Sequence, residues 1–168
     1  MGSSISPYLA EVCMSKNESR LKECRFAPRI WLRYVDDVFA IIKTWLRTFL
    51  SFLNNIHPQI QLTFEVENDG RLPFLDVMII RSNVQLEFDV FRKETATDRY
   101  ICNNSLHSRQ HKMSAINSMI HCLFSFPLSP QRFETEKAHI TKVAQINGYS
   151  LVVIENMINK KRKRLEKN

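Results

Sequence analysis

No apolar run in this 168-residue chain approaches the ~20 residues needed to span a bilayer, so no stretch of it reads as a transmembrane helix. Its opening, Met1-Gly2-Ser3-Ser4-Ile5-Ser6-Pro7, has neither a basic region nor an apolar core and does not read as a secretory signal. The four cysteines, Cys13, Cys24, Cys102 and Cys122, show no C-x-x-C spacing, which excludes the usual zinc-ribbon and dithiol redox patterns. A reduced, intracellular protein is the default expectation. No internal repeat or low-complexity tract is visible. Hydrophobic residues make up 44% of the chain, which is ordinary for a globular protein and enough for one domain or one and a half small ones.

Charge is unevenly placed. Residues 1–95 carry 12 Lys/Arg and 12 Asp/Glu, whereas residues 96–168 carry 12 and 5, so the whole excess of +7 lies in the second part. A basic half beside a neutral half points to a polyanionic partner. The densest piece, Lys160-Lys161-Arg162-Lys163-Arg164, suits a solvated helix end, a phosphate contact or a nuclear import signal.

Periodicity divides the chain at the same place. Ser6-Pro7 predicts a helix over 7–20, with Ser6 at the N-cap, Pro7 at N1, and Tyr8, Leu9, Val12 and Cys13 on one side. Residues 21–29 read as a loop. Ile30-Trp31-Leu32 and Val38–Ile42 predict two short strands around Tyr34-Val35-Asp36-Asp37. Thr44 is expected to cap a helix carrying Trp45, Phe49, Phe52, Leu53 and Ile56, stopped at His57-Pro58. Alternation over Gln61–Glu67 predicts a half-exposed strand. Leu72–Arg81 and Val84–Arg92 predict a hairpin around Ser82-Asn83. After Glu94 the period changes from 2 to 3.6. Met113, Ile116, Ile120, Leu123 and Phe124 form one helical stripe. Ser129-Pro130 opens another helix, ended by Asn147-Gly148, and Ser150 opens the last. The fold class is α+β, with residues 1–95 mixed and 96–168 all-helical.

Tyr34-Val35-Asp36-Asp37 carries the most chemical information. Tight hairpin turns favour Asn-Gly or Asp-Gly. Two adjacent carboxylates repel, and a cation between them would keep both ionised. Mg²⁺, which takes a few carboxylates plus substrate phosphates, is the ion that chemistry suggests. Asp76 in an apolar segment is expected to need a partner or an exposed face, with Arg33, Arg71 or Arg92 as candidates. Cys102, His107 and His111 invite a zinc reading, with His121-Cys122 as further donors, but a fourth ligand at suitable spacing is missing.

Taken in order, Gly2-Ser3-Ser4-Ile5-Ser6-Pro7, Tyr34-Val35-Asp36-Asp37 and Leu72-Pro73-Phe74-Leu75-Asp76-Val77 resemble three successive motifs of a reverse transcriptase palm. The stretches Val90–Thr95, Thr97-Asp98-Arg99-Tyr100, Ser105-Leu106-His107 and Asn147-Gly148-Tyr149 narrow the resemblance to the polymerase of Penelope-like retroelements. It implies a partial palm over 1–95, antiparallel strands with two packed helices. A basic, thumb-like or helix-turn-helix-type bundle would follow over 96–168. It implies catalytic, metal-binding Asp36 and Asp37 with Mg²⁺ or Mn²⁺, and substrate or primer contacts at Gly2, Ser6, Pro7, Tyr34, Leu72, Pro73 and Phe74. Backbone contacts would come from Arg92, Lys93, Arg99, Arg109 and Lys112. The implied partners are an RNA template and a DNA primer, or their hybrid, in the nucleus.

The sequence also departs from that family. An upstream strand with a further metal-binding Asp and the fingers are lacking, and Glu94 stands where relatives usually show Pro. The expectation is a chain inactive as a polymerase by itself, completed by an upstream segment or another chain. The alternative is a non-catalytic nucleic-acid-binding module of helix-turn-helix type. A domesticated interaction protein with an import signal at its C-terminal basic run is a third reading.

Overall fold

The computed structural model describes residues 4–22, 25, 27–43, 45–82 and 85–167. Gly2, Cys24, Thr44, Asn83 and Val84, to which roles were assigned above, lie outside them. The chain divides into two compact units, Met1–Val66 and Glu67–Asn168.

In the first unit, α1 (Ser6–Lys22) precedes the antiparallel pair β1 (Ile30–Tyr34) and β2 (Asp37–Ile41), and α2 (Leu46–Asn54) follows. The start of α1 is one residue earlier than predicted. Ser6 is already helical, and the Ile5 carbonyl accepts the Leu9 N–H at 3.1 Å. Leu21 and Phe49 are buried, and Trp31 meets Phe49 edge-on with ring centroids 6.3 Å apart. The predicted apolar side of α1 faces outward, leaving Tyr8, Leu9 and Val12 exposed. Trp45 is likewise not part of the packed face of α2. It occupies the N-cap with no side-chain capping bond and is exposed.

The strand predicted over Gln61–Glu67 does not form. Alternation alone cannot make a strand without a neighbour to take its backbone bonds. Here a side chain takes two of them. Asn54 Oδ1 accepts the Leu62 N–H at 2.7 Å, and Asn54 Nδ2 donates to the Leu62 carbonyl at 3.1 Å. Phe64 and Val66 remain exposed.

The second unit opens with a three-stranded antiparallel sheet in the order β3 (Arg71–Phe74), β4 (Val77–Arg81), β5 (Leu86–Val90). The single strand predicted over Leu72–Arg81 is therefore two, folded back at Leu75-Asp76 with Phe74 opposite Val77. Leu75 carries the turn at φ 54°, where a Gly or Asn would have announced it. Pro73 is tolerated because β3 is an edge strand. Asp76 stands in this turn, exposed, rather than in the strand interior, so it needs no buried partner.

Three helices complete the unit: α3 (Arg109–Ser125), α4 (Pro130–Ile146) and α5 (Leu151–Leu165). The change of period near residue 95 falls between β5 and α3. Ser108 and Ser129 cap α3 and α4 by accepting the N–H of His111 and Arg132, both at 3.4 Å. Ile116, Ile120, Leu123, Ile140, Ala144, Tyr149, Ile154 and Ile158 form the core. Sheet and helices are joined by charge. Arg132 donates to Asp89 at 2.7 Å and Glu87 at 3.0 Å, and Arg92 holds Glu136, which is almost fully buried. Among the described residues no helix is long and apolar enough to cross a membrane.

Candidate nucleic-acid interface

Helices α4 and α5 meet through a four-residue corner, Asn147-Gly148-Tyr149-Ser150. Gly148 adopts φ 76°, which suits a residue without Cβ. Its N–H donates to the Gln145 carbonyl and that of Tyr149 to the Ala144 carbonyl, both at 2.9 Å. This is a Schellman termination, and Tyr149 and Ala144 supply its apolar contact in the core. Two helices joined by a short Gly-containing turn are the elementary form of a helix-turn-helix.

Asn147 and Tyr149 fasten the irregular segment 98–103 to this corner. Asn147 Nδ2 donates to the carbonyls of Asp98 and Val143, both at 2.8 Å. Its Oδ1 accepts the Tyr100 N–H at 2.8 Å, and its own carbonyl accepts the Asn103 N–H at 2.9 Å. The Tyr149 hydroxyl lies 2.5 Å from the Ile101 carbonyl and 2.9 Å from that of Lys112, and its one hydrogen serves either. Burial pushes the Tyr149 phenol above its ordinary pKa of 10.0, with a smaller contribution from Cys102, so it stays a donor. His139 Nε2 is buried without a hydrogen bond, 3.6 Å from Asp98 Oδ1, which is too long for one.

The predicted backbone-contact residues separate by environment. Arg92 is occupied by Glu136. Lys93, Arg99 and Arg109 are exposed. Lys112 donates to the Asn103 carbonyl at 2.8 Å, a neutral partner that leaves its charge uncompensated. Arg99 and Lys112 line one open groove of about 440 Å³, which Tyr100, His111 and Ser114 also line. On α5, Ile154 and Ile158 face the core, while Val152, Asn156, Asn159 and Lys163 lie exposed on the opposite side, and Glu155 and Arg162 are exposed on the flank between them.

The acidic hairpin belongs to the first unit. Tyr34 and Asp37 close it as register partners, and Val35-Asp36 is the turn. Val35 takes φ 57°, a conformation that costs a β-branched residue strain. Arg33 braces the turn. Its guanidinium donates to the Val35 carbonyl at 3.2 Å, to Glu11 at 2.7 and 3.0 Å and to Glu18 at 2.6 Å, where Trp31 Nε1 also donates at 2.9 Å. Tyr34, Asp36 and Asp37 are exposed at the tip. Asp36 and Asp37 present two adjacent carboxylates to solvent there. Among the described residues no group of three His, Cys, Asp or Glu is placed to hold a metal, at this tip or around Cys102, His107 and His111. Of the other residues assigned to substrate, Ser6 and Pro7 begin α1, and Leu72, Pro73 and Phe74 lie half-buried in β3.

Residues 99–159 match the animal helix-turn-helix domain, a span that runs from the groove segment through most of α5. No curated protein and no solved structure matches the chain. The C-terminal part is thus similar to a helix-turn-helix domain. The anchoring role of Asn147 was not read from the sequence, where Asn147-Gly148 signals only a helix end. Its partners at 98–103 are more than 40 residues away, and no local pattern reveals such bonds.

Proposed function

We propose that the C-terminal helices bind duplex nucleic acid as a helix-turn-helix-type module, with α5 as the groove-entering helix and α4 lying across the backbone. The match over 99–159 carries this reading, and the tight corner at Gly148 supports it. The outer face of α5 has suitable chemistry. Asn156 and Asn159 can pair with adenine edges, Val152 can meet a thymine methyl, and Arg162 and Lys163 can neutralise phosphates. Lys93, Arg99, Arg109 and Lys112 add sequence-independent attraction. Fluorescence anisotropy of a labelled mixed-sequence duplex titrated with the full chain tests the reading. Binding that weakens steeply with salt is expected. No binding at low salt would sink it.

A second reading has its own observation, the strained Val35 turn that presents Asp36 and Asp37. Under it residues 1–95 descend from a reverse transcriptase palm. Asp36 and Asp37 would then hold Mg²⁺ or Mn²⁺ against nucleotide phosphates, with Tyr34 near an RNA–DNA hybrid. The bound ion would supply charge neutralisation for phosphoryl transfer. Two carboxylates are a short donor set, so this reading pairs metal binding with absent primer extension by the chain alone. Mn²⁺ titration followed by electron paramagnetic resonance tests it. Loss of bound Mn²⁺ in Asp36→Asn is the expected result.

A further inference from the structure

We propose that the groove between Arg99–Ile101 and the first two turns of α3 takes one unpaired nucleotide, its phosphate between Arg99 and Lys112 and its base on the ring of Tyr100. This inference rests on the nucleic-acid reading above but adds a second, strand-type site to the same module. Three observations lead to it. First, the groove is lined by two cations and a histidine and by no carboxylate, whereas Arg33, Arg81, Arg92 and Arg132 are all spent on acids. Arg99 makes no ion pair or hydrogen bond among the described residues, so its charge is available to a ligand.

Second, Tyr100 offers an aromatic surface in that cationic setting and is 39% exposed. Stacking of an unpaired base on an aromatic ring beside a basic backbone track is the general way proteins hold single strands. Bases within a duplex have no free face to offer. Third, the wall is held in place although it has no regular secondary structure. The Tyr100 N–H is held by Asn147 Oδ1, the Ile101 carbonyl faces the Tyr149 hydroxyl, and Lys112 reaches the Asn103 carbonyl. A ring carried on a fixed backbone loses less entropy when a base stacks on it. A volume of about 440 Å³ accommodates a nucleotide with its phosphate.

The test compares a labelled oligothymidylate with a labelled duplex, using the full chain. Tyr100→Ser is expected to weaken the single strand about 5- to 100-fold, and to leave the duplex within about twofold. Tyr100→Phe, which keeps the stacking face, is expected to bind the single strand like the unmodified chain. Arg99→Gln is expected to lower the salt slope for the single strand by about 0.7. Unchanged single-strand binding by Tyr100→Ser overturns the proposal, as does equal loss on both probes, which would make Tyr100 a structural support. If the unmodified chain binds duplex but not oligothymidylate, this inference falls while the helix-turn-helix reading stands. If it binds neither, both fall.

Discussion

The Asn147 side chain holds the backbone of Tyr100, Oδ1 to N–H at 2.8 Å, across 47 positions of sequence. The same amide donates to the Asp98 carbonyl, so one buried residue fixes both the corner between α4 and α5 and the wall of the groove. Replacing it leaves the partly buried Tyr100 N–H and Asp98 carbonyl without partners. Asn147→Ala should cost about 2–4 kcal/mol in denaturant unfolding of the full chain, since each orphaned group costs roughly 1–3 kcal/mol. A change below about 0.5 kcal/mol would mean that water replaces these bonds at no cost.

Arg92 and Arg99 should behave as opposites. Arg92 is held to a nearly buried Glu136, so Arg92→Ala strands a carboxylate. About 1–3 kcal/mol of stability should be lost, less than a fully buried pair would give because Arg92 is about one-third exposed. Its effect on the salt slope of nucleic-acid binding should be nil. Arg99→Ala should leave the unfolding midpoint in place and reduce that slope. Paired unfolding and salt titrations of the two variants check both halves.

The α1–β1 clamp predicts an acid-sensitive first unit. Hydrogen bonding from Arg33 holds the Glu11 carboxyl below its ordinary value of 4.5. For Glu18, burial pushes upward, but hydrogen bonds from Arg33 and Trp31 outweigh it and the net shift is down. A carboxyl lowered in the folded state stabilises fully above its unfolded pKa of about 4.3, and that contribution is lost as pH falls through the lower, folded value. Stability followed by fluorescence of Trp31, which donates to Glu18, should therefore be flat above about pH 5 and fall below it. Arg33→Met should flatten the acid limb.

Val35→Gly tests the strain at the acidic tip. Removing the Cβ at φ 57° relieves about 1–2 kcal/mol, and the added freedom of the unfolded chain returns part of it. A net gain of about 0.5–1 kcal/mol is expected in thermal or chemical unfolding. Loss of stability would show that the Val35 side chain packs in a way its exposure conceals.

Legibility in the sequence followed the range of the interaction. The starts of α4 and α5 and the end of α4 could be read because Ser129-Pro130, Ser150 and Asn147-Gly148 act within one turn of chain, whereas only the apolar stripe of α3 was visible and not its cap at Ser108. The Asp36 hairpin was also legible, from two apolar strands flanking a polar tip. The Leu75-Asp76 turn was not, because a Leu at positive φ carries no turn signature and its flanks run on as apolar strand. Gln61–Glu67 alternates like a strand, yet Asn54 rather than a neighbouring strand takes the Leu62 backbone bonds. The outward turn of Tyr8, Leu9 and Val12 was equally hidden, since a stripe shows that a helix has an apolar side and not what meets it. For the basic residues, sequence supplied the charge, and only packing separates Arg92, which is occupied, from Arg99, which is free.

The central claim is that α5 enters the groove of duplex nucleic acid, and the dependence of duplex affinity on salt measures it most directly. The full chain should give a linear decline of log K with log salt. Replacing Arg162 and Lys163 together by Ala should flatten that slope by about two, each lost phosphate contact being worth roughly 0.9. An identical slope in the double variant would place the contact elsewhere and contradict the account.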